Sequence, residues 1–356
     1  MAQGKDQSQE ILAQHTAGLL GYGPIPREER RSEPHLLLKR MPFDRDKMKK
    51  TVAALAGEGV FIGTSSWKYP GWRGQLYDED RYVWRGKYSE ARFERLCLAE
   101  YAEVFKTVCV DAAYYKFPDR RFLEQLVAQV PADFLFALKV TDQITIKRFA
   151  NLPRFGFRAG AANEDFLNAA LFESAFLRPC REYQANIGLL IFEFSHFSPR
   201  EFERGREFVA ALDAFLGKLP DGWRYGVEIR NQSYLHPEYF AALARHGAAH
   251  VFSSWQNMMP VGEQLALPGS RTSPSFFGAR LLLRPGRKYE EAVKLFSPYD
   301  RIKDPYPEGR AAGARLIQEA RSGGGATKGF IYVNNRLEGN ALETIAAMIE
   351  QAGAGS

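Results

Sequence analysis

Eight short apolar runs recur along residues 59–335, most of them ending in a polar or charged residue, and this repetition limits what the chain can fold into. The runs occupy 60–64, 107–111, 134–141, 187–193, 225–230, 249–253, 279–284 and 329–334. Each is of strand length and rich in Val, Ile, Phe, Tyr or Leu. Segments with apolar residues at helical spacing separate most of them, over 89–105, 122–130, 163–177, 199–216, 237–246 and 309–320, with a last one at 340–349. Strands that alternate with helices favour parallel βαβ units, and eight such units close as an α/β barrel, a (β/α)8 TIM-like fold. An open doubly wound sheet also accounts for the alternation. The stretch 254–277, between the sixth and seventh runs, carries no regular helix pattern, so that unit is expected to be irregular.

A chain of 356 residues suits one such barrel with an extension. Residues 59–352 are assigned to the barrel. Residues 1–58 are expected to form a basic, partly flexible N-terminal extension, helical across 44–56 where it enters the barrel. The apolar patch at 11–20 is too short to span a membrane and lacks the basic start of a secretory signal, so a cytoplasmic protein is expected. Cys97, Cys109 and Cys180 are odd in number and share no metal-ligand spacing, which suits reduced, buried thiols. The net charge of +6 raises nucleic acid as a partner, but the dense basic runs, 27–31 and 45–50, both lie in the extension. Anionic small molecules fit the balance equally well.

In barrel enzymes the chemistry sits at the C-terminal ends of the strands. Strand alternation puts Glu228 and Arg230 on one face, and the same logic brings Asp111, Lys139, Glu193, Arg284 and Asn334 to one rim. Charged groups at buried strand ends are costly unless paired, so a polar pocket is the functional reading and a structural ion pair plugging the barrel is the plain one. Glu228 is the first candidate for general acid or base, with Asp111 or Glu193 as a second carboxylate and Lys139 as a Schiff-base candidate or a salt-bridge partner. The three carboxylates are oxygen ligands suited to Mg²⁺ or Mn²⁺, whereas no His or Cys falls where a zinc site needs it. A divalent metal is therefore conceivable, and no cofactor is required.

The last two units suggest an anion site, because many barrels hold phosphate after strands seven and eight, beside a helix N-terminus. Arg284 and Arg287 follow the seventh run; Asn334, Asn335, Gly339 and Asn340 follow the eighth, with Asn340 as the expected helix cap. Their plain reading is loop bracing by side-chain hydrogen bonds. The aromatic cluster Trp67, Tyr69, Trp72 and Tyr77, joined by Tyr114, Tyr115 and Trp255, either stacks on a ligand ring or closes the loop as a hydrophobic lid.

Several ordered segments resemble the DUF72, or YecE-like, family of proteins of unknown function. These are residues 62–77 (Ile-Gly-Thr-Ser-Ser-Trp-Lys-Tyr-Pro-Gly-Trp-Arg-Gly-Gln-Leu-Tyr), 108–118 (Val-Cys-Val-Asp-Ala-Ala-Tyr-Tyr-Lys-Phe-Pro), 136–145, 227–230 (Val-Glu-Ile-Arg) and 332–341. The resemblance implies a TIM-barrel-like fold and no established reaction. The chain departs from the family pattern where Cys109, Asp111, Ala113 and Tyr114 stand in the places of Glu, Asn, Thr and Phe. It departs again at Ile146, in the place of His, and at Glu193, in the place of Gln. The resulting expectation is an enzyme, a hydrolase, lyase or isomerase, using acid/base chemistry on a small polar, anionic or sugar-containing ligand. The alternatives are a non-catalytic ligand-binding barrel and a nucleic-acid-associated protein that uses the basic extension.

Overall fold

The computed structural model describes residues 43–353. The expectations placed on residues 1–42, among them the flexible start, the apolar patch and the first basic run, lie outside the described residues. Eight parallel strands close into a barrel in sequential order: β1 (Val60–Thr64), β2 (Thr107–Val110), β3 (Leu135–Lys139), β4 (Ile187–Phe194), β5 (Tyr225–Ile229), β6 (Ala249–Ser254), β7 (Phe276–Leu281) and β8 (Lys328–Val333). The closed order excludes the open sheet. Helices α1 (Arg45–Gly57), α2 (Glu90–Ala102), α3 (Arg120–Val127), α4 (Gly205–Leu216), α5 (Pro237–Arg245), α6 (Tyr289–Phe296), α7 (Pro307–Ser322) and α8 (Ala341–Gly353) pack outside the strands or against their ends. Among the described residues, no helix is long and apolar enough to cross a membrane.

Local chemistry accounts for the element ends. Asp44 caps α1 by accepting from the Lys47 amide at 2.8 Å, Ser89 caps α2 and Asp119 caps α3. Helix α1 buries Met48, Val52 and Leu55 in the same core as the outer helices. Between β6 and β7 there is a single four-residue turn of helix, Val261–Gln264, as the missing periodicity predicted. Helix α6 was not expected from the sequence. The 163–177 segment, read as one helix, splits: Ala169–Leu171 leads into a π-helical turn at Phe172–Leu177.

The seventh run is corrected. The apolar stretch Leu281–Leu283 makes 279–284 look like the strand, but β7 starts three residues earlier, at Phe276. Leu282 and Leu283 are apolar for another reason. They pack with Trp255, Met258, Tyr289, Phe296 and Tyr299 in a separate cluster beyond the strand ends. Arg280, not Arg284, is therefore the strand's inward charge.

Inside the barrel, side chains two apart along each strand stack in layers. The lower layers are apolar: Phe61, Cys109, Ala137, Leu189, Ile191, Ala249, Val251, Phe276, Phe330 and Tyr332 form one buried cluster. Two residues further along, the same inward positions become Asp111, Lys139, Glu193, Ser253 and Asn334. The barrel thus changes from hydrocarbon to charge near the C-terminal ends of the strands.

The β1–β2 seam is the thinnest point, with Thr64 and Val108 as its one paired position. The chains approach so closely below it that a Cβ on Gly63 would lie 2.2 Å from the Thr107 carbonyl oxygen. The buried Tyr101 hydroxyl stitches the seam: it accepts from the Thr64 amide at 3.0 Å and the Thr64 hydroxyl at 2.9 Å, and donates to Thr107 O at 3.0 Å. Tyr101→Phe strands these buried groups, and an expected loss of about 1–3 kcal/mol should appear in urea unfolding. Unchanged stability would show that the seam holds without the hydroxyl.

Candidate active site at the barrel mouth

The charged layer is organised around Arg280, whose side chain is 2 % exposed. Its Nη1 lies 2.5 Å from Glu193 Oε2 and 2.7 Å from Glu228 Oε2, and its Nη2 is 3.4 Å from Asp111 Oδ1. Glu193 also meets Lys139 Nζ at 3.0 Å and Arg230 Nη2 at 3.4 Å. Glu228 meets Arg230 at 2.6 Å and accepts from the Ser253 hydroxyl at 2.7 Å. Glu228 and Arg230 therefore share the inner face, as period-two alternation required. The aromatic shell completes the packing: Lys139 Nζ sits 3.9 Å from the Tyr114 ring centroid, and the Arg230 guanidinium 4.1 Å from that of Trp255.

Three cations and three carboxylates make this floor electrically neutral. Burying an isolated charge costs several kcal/mol, so mutual compensation is the condition for placing the layer here at all. Burial alone would lower the Arg280 pKa, yet Glu228, Cys109, Glu193 and Asp111 together hold it well above the ordinary guanidinium value. Beneath it, burial pushes the Cys109 thiol up to about 12, so it stays neutral. Glu193 and Glu228 face guanidinium and ammonium groups, and among the described residues no cluster of three or more His, Cys, Asp or Glu side chains is arranged to hold a metal ion.

Above the floor opens a cleft of about 670 Å³ that extends outward to α2 and α3. Asp111, Arg280, Asn334 and Arg336 line it together with Trp67, Tyr69, Tyr115, Trp255 and Tyr289. Glu193, Glu228, Lys139 and Arg230 lie below and do not line it. Asp111 is the partly open carboxylate of the set, its side chain 35 % exposed. Arg336 was missed in the sequence. Its guanidinium lies 4.7 Å from the Tyr289 ring centroid, and its Nε is buried with no hydrogen-bond partner. Asn334 positions this residue by accepting from the Arg336 amide at 2.9 Å and donating to the Tyr69 hydroxyl at 3.5 Å. Burial raises the Tyr69 and Tyr115 phenols, so both remain protonated.

Other expected site residues are placed elsewhere. Arg287 pairs with Asp304, and Arg284 Nη1 lies 3.7 Å from the same carboxylate. Asn340 does cap α8, accepting from Glu343 N at 3.0 Å, and Asn335 Oδ1 accepts from Ala341 N at 2.7 Å. A Cβ on Gly339 would lie 2.5 Å from Arg301 O, because the 301–303 segment crosses over it. The expected anion cradle is thus filled by the chain's own carboxylate and backbone. Trp72 is wholly buried, donating to Asn335 Oδ1 at 3.2 Å, and clamps the first loop onto the last rather than facing the cleft.

A parallel barrel with a charged mouth is the class that fold and site define. The chain belongs to the DUF72 family: the model described as "Protein of unknown function DUF72" matches residues 61–356. It is similar to the crystal structure of a DUF72 family protein from Enterococcus faecalis V583, at 19 % identity and a TM-score of 0.54, over 83 % of this chain and 95 % of that one. It is similar also to a DUF72 family protein from Thermotoga maritima MSB8, at 18 % identity and a TM-score of 0.51, over 83 % of this chain and 98 % of that one. At these identities the likeness concerns the fold. No curated protein matches the chain.

The division between floor and mouth can be measured. Glu228→Gln leaves Arg280 and Arg230 facing a neutral amide in a buried site, with an expected loss of about 3–5 kcal/mol. Asp111→Asn, at the open edge, should change stability by less than about 1 kcal/mol. Equal losses in urea unfolding would contradict the division.

Proposed function

We propose that the barrel mouth binds a small anionic, sugar-sized ligand and that Asp111 serves there as general acid or base. The observation that carries this reading is Arg336. The floor below is already neutral, so this guanidinium is a charge in excess, and it lines the cleft with its buried Nε unpartnered. An anionic group on a ligand supplies the missing partner through charge-assisted hydrogen bonds. Asp111 lines the same cleft, with Arg280 Nη2 at 3.4 Å and Lys139 Nζ at 3.8 Å on its inner side. Proton transfer needs a carboxylate within reach of the ligand, and the buried Glu193 and Glu228 do not line the cleft. Trp67, Tyr69, Tyr115 and Trp255 provide flat apolar walls of the kind that stack on sugar rings.

The full pairing of Glu193 and Glu228 favours a second reading, a ligand-binding barrel without catalysis. The two share one site and differ in what happens after binding. Calorimetry with glucuronate and glucose as a matched pair tests the first step: glucuronate is expected to bind the more tightly. Arg336→Met should weaken it tenfold or more, the equivalent of about 1.5 kcal/mol for one charge-assisted bond. Asp111→Asn should retain binding and abolish any turnover followed by proton NMR. Equal affinity for both sugars, unaltered in Arg336→Met, would sink the anion reading; binding without turnover in the unmodified protein would favour the non-catalytic one.

A further inference from the structure

A second cleft, of about 460 Å³, opens on the same rim between the loops that follow β3 and β4. Its charge is strongly one-sided. Lys147, Arg148 and Arg200 line it against a single carboxylate, Glu201. That carboxylate is already engaged, accepting from the Ser198 amide and hydroxyl, both at 2.9 Å. Lys147 Nζ sits 3.3 Å from the Phe202 ring centroid, so an aromatic face covers part of the ammonium. Burial lowers the Lys147 pKa, with Glu201 and Glu207 pulling the other way. Thr145 also lines this cleft. It is 1 % exposed, and its hydroxyl has no hydrogen-bond partner. A buried polar group in that state costs about 1–3 kcal/mol unless something fills the site.

Both walls are held in place before any ligand arrives. Asn163 Nδ2 donates to Gln143 O at 2.7 Å and Ile146 O at 2.6 Å, fixing the loop after β3. Asn231 accepts from Phe197 N at 2.8 Å and donates to Phe197 O at 3.0 Å, fixing the loop after β4. Arg148 Nη1 donates to Gly160 O at 2.8 Å, and both residues line the cleft. Pre-organised donors lose little entropy when a ligand binds.

We propose that this cleft is a phosphate-binding site for a small phosphorylated molecule, with Lys147, Arg148 and Arg200 taking the charge and the Thr145 hydroxyl donating at its base. Three cations against one carboxylate leave two positive charges, which match a phosphomonoester near pH 7 better than a carboxylate monoanion. The site is independent of the one at the barrel mouth and stands if that reading fails.

Calorimetry on the full chain at low salt tests it, with inorganic phosphate, glycerol 3-phosphate and glycerol as probes. Both phosphates should bind saturably and glycerol should not. Lys147→Met and the exposed Arg200→Met should each weaken glycerol 3-phosphate tenfold or more. Thr145→Val should weaken it without lowering the melting temperature of the free protein, and Arg336→Met, at the other site, should leave it unaltered. Absence of saturable phosphate binding would overturn the proposal. So would loss of binding in Arg336→Met but not in Lys147→Met, which would place the phosphate at the mouth. Lys147-dependent binding of a single-stranded oligonucleotide, without binding of glycerol 3-phosphate, would also overturn it by replacing the small molecule with a polymer.

Discussion

The contact of one Arg280 nitrogen with both Glu193 and Glu228 is the interaction on which the upper half of this barrel depends. The two carboxylates come from neighbouring strands at paired register, Glu193 opposite Glu228, so their charges are driven together by the backbone. Without a cation between them, repulsion and desolvation would act in the same direction. Arg280 reaches them from β7 across the barrel, while Lys139 and Arg230 close the ring from either side. The layer is a neutral, water-poor plug, and everything above it is defined by what the plug leaves over.

Two groups face the mouth: Asp111 at the end of β2, the partly open member of the neutral set, and a guanidinium beyond β8 that the set does not include. Each is positioned by the fold rather than by the other. Asp111 ends a strand whose inward neighbour is Cys109, and Arg336 is set by its amide bond to Asn334. On the proposed reading, that independence suits the cleft to a ligand bearing both an anionic group and an exchangeable proton. The aromatic residues divide in the same way. Trp72 and Tyr77 are wholly internal, Trp72 holding the first loop against the last and Tyr77 stacking on it, whereas Trp67, Tyr69 and Trp255 present surface to the cleft.

Much of this was legible in the sequence because strand alternation is a strict rule. Glu228 and Arg230 had to share a face, and the eight runs had to be covered by helices. The reading failed where apolar residues serve something other than a strand. Leu281–Leu283 imitates the end of β7 but feeds a cluster with Tyr289 and Phe296, and the resulting register error hid Arg280 behind Arg284. The alternation Gly278, Arg280 within the apolar run was the available signal. Arg336 stands two residues past Asn334, so the period was visible there as well, but nothing local marks a guanidinium as unpartnered. The anion cradle expected near Gly339 failed for a tertiary reason: Asp304 and the 301–303 segment, some 35 residues upstream, fold onto it. The cleft of Lys147 and Arg200 joins two loops about 50 residues apart, and short-range patterns do not report such a meeting.

The claim that one guanidinium couples the carboxylates of β4 and β5 is most directly tested by a double-mutant cycle in urea unfolding, using Arg280→Met, Glu193→Gln and the pair together. The structure predicts a coupling energy of about 2–3 kcal/mol, because removing both charges at once relieves the penalty that each single change leaves buried. Additive losses within about 0.5 kcal/mol would contradict it, showing that the ring is held by its surroundings and not by Arg280.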